Sequence, residues 1–230
     1  MEIATSFSVI VLAALTHATL QLGLGGLLLL YHASLGKHIR KRTKSLASSY
    51  VAGVGMLVFL MLAAICFIID RLFDQSLTEF WLSVLVAVLL SLAMVVWGFY
   101  YRLGKNTELW LPRVIAKFID SRAKVTNSNT EAFSLGALTG FAEMPFSLVL
   151  MVVAANNVLA LSFLHQLLGI ALYTIIVIMP FVVLRVTIRN GQTVVDIQKW
   201  RVKNKIFFRI LSGVSFAVLA LFILAFEVMG

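Results

Sequence analysis

A carboxylate stands deep inside an apolar run. Glu143 lies about twelve residues into the stretch that begins at Ala132, where a helix rising roughly 1.5 Å per residue nears the middle of some 30 Å of hydrocarbon. An ionised carboxylate there costs at least about 2.5 kcal/mol on insertion scales, so a functional role is the default expectation. Two residues on, Pro145 donates no backbone hydrogen bond and displaces the carbonyl one turn earlier. Freed backbone groups must face protein or water. Leu138-Thr139-Gly140-Phe141-Ala142-Glu143-Met144-Pro145-Phe146 therefore describes an interrupted helix with a proton or cation site at the break. Glu143 would stay protonated in apolar surroundings and ionise when a cation or water arrives. The competing reading is a protonated acid that fixes packing by bonding across to another helix.

A second polar stretch occupies the first apolar run: Thr16-His17-Ala18-Thr19-Leu20-Gln21-Leu22-Gly23-Leu24-Gly25-Gly26. His17 and Gln21 share one helix face, with Thr16 and Thr19 within a turn, so a polar stripe can meet Glu143. The candidate substrate or ion ligands are Glu143, His17, Thr16, Gln21 and Thr139. Pro145, Gly140, Gly23 and Gly25 weaken the helices that carry them. The glycines serve close packing first, as do Gly53, Gly55 and the small-xxx-small pair Gly136 and Gly140. Asn156 and Asn157 are expected at the outer mouth, His165 and Gln166 in the outer part of the fifth run, and Pro180 as a kink in it. Glu227 is expected to bend outward to water.

Catalytic signatures are missing. There is no His-Glu-x-x-His, serine elbow, phosphate-cradling glycine loop or Cys-x-x-Cys, and Cys66 stands alone. We expect no catalytic residue, no enzyme activity and no cofactor, and leave a metal ligand role open. His17 and Glu143 acting as base and acid on a lipid is the weakest alternative, for want of a nucleophile or metal set.

These residues are positioned by membrane-spanning helices. Of the chain's 230 residues, 61% are hydrophobic and 13% charged, about half the charge that clothes a soluble domain. Six runs are long enough to cross: Thr5 to Tyr31, Val51 to Ile69, Phe80 to Tyr100, Ala132 to Ala155, Leu159 to Leu184 and Ile206 to Val228. The N-terminal run is too long for a signal-peptide core and should stay as a helix. Basic residues follow the first, third and fifth runs, and Arg71 alone lies in the other set of loops. That bias places those loops inside and both termini outside, in a bacterial or archaeal inner membrane. The net charge of +9 reports this topology and some attraction to acidic headgroups, so nucleic acid is not expected as a partner.

The expected fold is an all-α integral membrane protein, residues 1–230 forming one transmembrane domain. Residues 1–104 make a first three-helix half. Residues 105–130 hold an inner-surface amphipathic helix, Thr107 to Arg122, with Pro112 in its opening turns, then a polar linker, Thr126 to Thr130. Residues 131–230 make the second half. An odd number of spans per half sends the second half through the bilayer in the opposite sense, as in inverted-repeat transporters. Ala14-Leu15-Thr16 recurs as Ala137-Leu138-Thr139.

The plan resembles the lysine-exporter and cytochrome-c-biogenesis superfamily of six-helix membrane proteins, which also includes thiol-reductase domains and small-solute exporters. Four features carry the likeness: the basic loops, the proline-broken Gly136 to Pro145, the Lys199-Trp200-Arg201 and Asn204-Lys205 approach, and a final helix Phe208 to Ile223 with Gly213. The thiol-reductase branch places a cysteine in each interrupted helix, and here those helices have none. The resemblance implies a 3+3 inverted bundle with a central pathway. The expectation is a secondary transporter, a proton-coupled exporter of a small solute or cation. One triplet of helices would rock against the other, and a homodimer is one possible assembly. The alternative is a non-transporting membrane subunit that binds a lipid or partner protein through its basic inner face.

Overall fold

The computed structural model describes residues 3–20, 40–73, 79–96, 113–189, 199–200 and 203–228. Among these every regular element is helical. A backbone in hydrocarbon must satisfy its N–H and C=O groups internally, and a helix does so within one segment. In chain order the elements are α1 (Ile3–Leu20), α2 (Arg40–Leu72), α3 (Glu79–Val95), α4 (Arg113–Val125), α5 (Asn129–Ala142), α6 (Met144–Leu159), α7 (Phe163–Arg189) and α8 (Lys205–Ile223). A π-helical turn, Leu224–Val228, ends the series.

Among the described residues, four segments are long and apolar enough to cross a membrane: Ile3–Leu20, Ser45–Leu72, Phe163–Val186 and Ile206–Phe226. A fifth candidate is α5 with α6, bent by 80° at their junction. α3 is apolar but shorter, and the remainder of the third expected span, to Tyr100, lies outside the described residues. The protein is thus an all-helical, multi-pass membrane protein. Its outer surface agrees: Met94, Phe67, Phe163 and Leu72 are all exposed, which suits lipid rather than water.

Several boundaries differ from the sequence expectations. α2 runs 33 residues, about 50 Å, because the helix also takes in Arg40 to Lys44; Lys and Arg are good helix formers. The linker expected over Thr126 to Thr130 is shorter, since Asn129 and Thr130 are already helical. Ser128 starts α5 with a capping box. Its hydroxyl accepts the Glu131 N–H at 3.2 Å, and the Glu131 carboxylate accepts the N–H of Ser128 at 3.2 Å and of Asn127 at 2.7 Å. Asn156 to Val158, expected to connect two spans, lie inside α6. The Asn157 amide donates to the Val153 carbonyl one turn back at 3.2 Å, so its polarity does not break the helix, and both asparagines are buried. α7 continues past Pro180. The surface helix α4 covers Arg113–Val125, and Pro112 lies outside the described residues.

α2 lies along α5 and also meets α6 and α7; α1 packs against α6, α7 and α8; α3 packs against α8 and the π turn. The closest approach is between α2 and α5. A Cβ on Gly53 would strike the Phe133 carbonyl, and one on Gly136 would strike the Tyr50 carbonyl. Backbone meets backbone there, as small-residue membrane interfaces allow. Gly140 faces the Leu57 side chain on the same seam. The core around these contacts includes Tyr50, Leu62, Leu89, Leu150, Tyr173, Phe216 and Leu219, all fully buried.

Candidate functional site

The break in the fourth apolar run falls at Glu143, which ends α5 and begins α6 with φ −82° and ψ −14°. Pro145 sits in the first turn of α6, where its missing N–H would have had no helical partner. The corner is tied from below and above. The Glu143 N–H donates to Gly140 at 3.2 Å, while the Glu143 carbonyl accepts Phe146 N–H at 3.0 Å and Ser147 N–H at 3.1 Å. The buried Ser147 hydroxyl adds a bond to that carbonyl at 3.2 Å. A carboxylic side chain thus projects from a rigid elbow rather than from the wall of a regular helix.

Glu143 is buried at 6% exposure, inside the bundle rather than against lipid. Its Oε2 lies 3.8 Å from Nε2 of His17, and its Oε1 has no hydrogen-bond partner. The other ring nitrogen, Nδ1, lies 3.0 Å from the Tyr173 hydroxyl of α7, with the rings tilted at 52°. Tyr173 is fully buried and Nδ1 is its one hydrogen-bond partner among the described residues. A buried phenol keeps its proton and donates it, so Nδ1 accepts and the ring proton sits on Nε2, assigned from the network. His17 therefore turns an N–H toward Glu143.

A second hydroxyl pair flanks the first. The side chains of Tyr50, on α2, and Thr139, on α5, are hydrogen-bond partners. Thr139 donates its own proton to the Leu135 carbonyl at 2.7 Å, so Tyr50 is the donor between them. Thr139 is one turn before Glu143, which places this pair beside the carboxyl group.

The structure brings together Glu143, His17 and Thr139. Thr16 is turned elsewhere: its hydroxyl donates to Leu12 at 2.8 Å and lies 3.4 Å from the Ser215 carbonyl of α8. Thr16 thus makes a contact between α1 and α8. Gln21, Gly23 and Gly25 lie outside the described residues. Gly140 belongs to the α2–α5 seam and supplies a carbonyl at the corner. Tyr50, Tyr173 and Ser147 escaped the sequence reading. The tyrosines had a signal: each is a lone phenol in an aliphatic helix, and a phenol that is fully buried must find a partner.

Cys66 is buried on α2 and free. No group of three or more His, Cys, Asp or Glu gathers among the described residues. At the start of α7, Ser162 and Nδ1 of His165 lie 2.6 Å apart.

A family model described as the cytochrome C biogenesis protein transmembrane region matches residues 9–222, from α1 to near the end of α8. No curated protein and no solved structure matches the chain.

Proposed function

The chain belongs to the family of cytochrome c biogenesis protein transmembrane regions, and on that premise we propose that it is a secondary transporter with Glu143 as its proton-coupling group. The observation that carries this reading is the buried acid with an unpartnered oxygen at an 80° elbow between two half-helices. Discontinuous helices with polar groups at mid-depth are how membrane carriers build binding sites.

A constant offset between similar positions supports it. Tyr173 follows Tyr50 by 123 residues (173 − 50), as Thr139 follows Thr16 (139 − 16). The same offset pairs buried positions in all three helices of each half: Val9 with Ala132, Val54 with Val177, Val58 with Phe181, Leu89 with Ser212, Ala93 with Phe216 and Val96 with Leu219. One pair of helix neighbours exchanges in the same way, since α1 packs on α7 as α2 packs on α5. Such a pairing fits two three-helix halves, six crossings in all, the halves entering the bilayer in opposite senses. The basic residues then put both termini outside a bacterial or archaeal plasma membrane. Leu20 stands where the second half has Glu143 (143 − 20), so the acid belongs to one half only.

Passing electrons through a disulfide takes two thiols, and the sequence has one cysteine. A relay of that kind would need a second thiol from another chain, whereas the transport reading uses residues present at the elbow. We infer no enzyme activity and no bound cofactor.

The test is solute-evoked proton movement in proteoliposomes with a trapped pH dye, across a panel of small solutes. Glu143→Gln is expected to abolish the coupled signal while the protein stays helical and monodisperse. Undiminished proton movement in that variant would reject the coupling role.

One observation favours a second reading, a membrane subunit that docks through its inner face. α4 exposes Lys117, Arg122 and Lys124, and the Arg122 guanidinium lies 5.4 Å from the Phe118 ring centroid. Changing the three charges to Gln is expected to remove up to about 1 kcal/mol each of attraction to an anionic leaflet. Hydrogen exchange of α4 in anionic and neutral nanodiscs measures it; equal protection in both lipids would count against this surface.

A further inference from the structure

The elbow between α5 and α6 gathers oxygen atoms that lack donors. Glu143 is more than nine-tenths buried, and its Oε1 is unpartnered. The other oxygen faces the Nε2–H of His17. In an unbroken helix the Glu143 N–H would serve the Thr139 carbonyl; here it bonds to Gly140 and Phe141, so Thr139 loses its helical donor. Pro145 offers no N–H to Phe141. These carbonyls form the C-terminal end of α5, the negative end of its dipole. Nearby donors are already used: Thr139 on Leu135, Ser147 on the Glu143 carbonyl, Tyr50 on Thr139 and Tyr173 on His17.

What complements an unpartnered, buried carboxyl oxygen at the carbonyl end of a helix is a positive charge. An anion would meet a carboxyl group and carbonyl oxygens, with the His17 N–H as the one donor facing them. The ligand set of a transition metal is missing, with no three of His, Cys, Asp and Glu gathered among the described residues. Hard oxygen donors at the carbonyl end of a broken membrane helix suit an alkali cation.

Resting on the transport reading above, we propose that this elbow binds a monovalent alkali cation through Glu143 Oε1 and the Thr139 carbonyl, in exchange for the proton on Glu143. As the cation arrives, the Oε1–H bond breaks and one proton leaves; as the proton returns, the cation leaves. The site gains no net charge in either direction. Only the empty, ionised state leaves a naked charge in apolar surroundings, and avoiding that state is what couples the two ions. The ionisable groups facing Glu143 are His17 of α1 and Tyr50 of α2; Tyr173 of α7 reaches it through His17. α6 has no ionisable side chain, and neither do α3 beyond Glu79 and α8 beyond Arg209.

The test uses the full chain in proteoliposomes with a trapped pH dye and an imposed gradient of NaCl, KCl or LiCl, with N-methylglucamine chloride as control. At least one alkali ion is expected to drive opposite proton movement in the wild type, and Glu143→Gln to abolish it. Pro145→Ala keeps the acid but lets the helix straighten and return donors to its carbonyls. It is expected to weaken the response by about tenfold or more, as loss of supporting groups does at ion sites. Alkali gradients that move no protons, while another solute moves them through Glu143, would overturn the cation assignment and leave the transport reading standing. A full alkali response in Pro145→Ala would overturn the role of the broken helix. Proton movement indifferent to Glu143 for every solute would overturn both.

Discussion

The bond between Tyr173 and His17 sets a measurable energy. Tyr173→Phe removes one oxygen and leaves Nδ1 of His17, 3.0 Å away, without its donor. Interhelical hydrogen bonds in membranes average about 0.6 kcal/mol and reach about 1.7, while stranding a buried acceptor costs about 1–3 kcal/mol. Tyr173 is fully buried and His17 only 3% exposed, so water cannot replace the lost donor. The expected loss is about 1–2 kcal/mol, or roughly 5- to 30-fold in the folding equilibrium. Tyr50→Phe is the internal comparison. Its partner Thr139 has already placed its proton on Leu135, so no donor or nitrogen is stranded, and the loss should stay near 0.6 kcal/mol. Reversible unfolding in mixed micelles measures both. Histidine nitrogen shifts report the tautomer, with Nε2–H in the wild type and a mixture in Tyr173→Phe. If the two variants lose the same stability within about 0.3 kcal/mol, or the wild-type ring is protonated on Nδ1, the reasoning about this bond is wrong.

Two further variants probe the frame around the site. Gly136→Ala places a methyl group against the Tyr50 carbonyl and should cost about 1–3 kcal/mol in the same unfolding assay; Gly55→Ala, whose nearest neighbour is a side-chain methyl of Ile178 at 3.4 Å, should be near neutral. Ser128→Ala removes the cap of α5 and should cost about 1 kcal/mol, read as faster hydrogen exchange at the Glu131 amide.

The apolar runs were legible because bilayer thickness dictates their length, and the interruption at Glu143 was legible because Pro145 and a carboxylate are both costly in hydrocarbon. The seam glycines followed from small-xxx-small spacing, and Gly53 and Gly136 confirm it. Other features depended on tertiary partners. Thr16 is next to His17 in sequence, yet on a helix adjacent residues point about 100° apart, and its hydroxyl bonds to Leu12 of its own helix. Asn156 and Asn157 looked like a loop, but both lie within α6, where the Asn157 amide donates to the Val153 carbonyl of its own helix. Tyr50 and Tyr173 were hidden because an aromatic residue in an aliphatic run resembles ordinary core until its partner is known. The linker estimate missed Ser128-x-x-Glu131, a capping signature that was present in the residues.

The glycine seam between α2 and α5 has a mechanical consequence. Gly53 and Gly136 come from opposite halves of the chain, and they let backbone rest on backbone. At the positions one offset away, the counterpart pair is Ile176 (53 + 123) and Ala13 (136 − 123), neither of them glycine. Backbone in contact leaves no side-chain layer between the two helices there, so any side chain added at either glycine would have to push them apart.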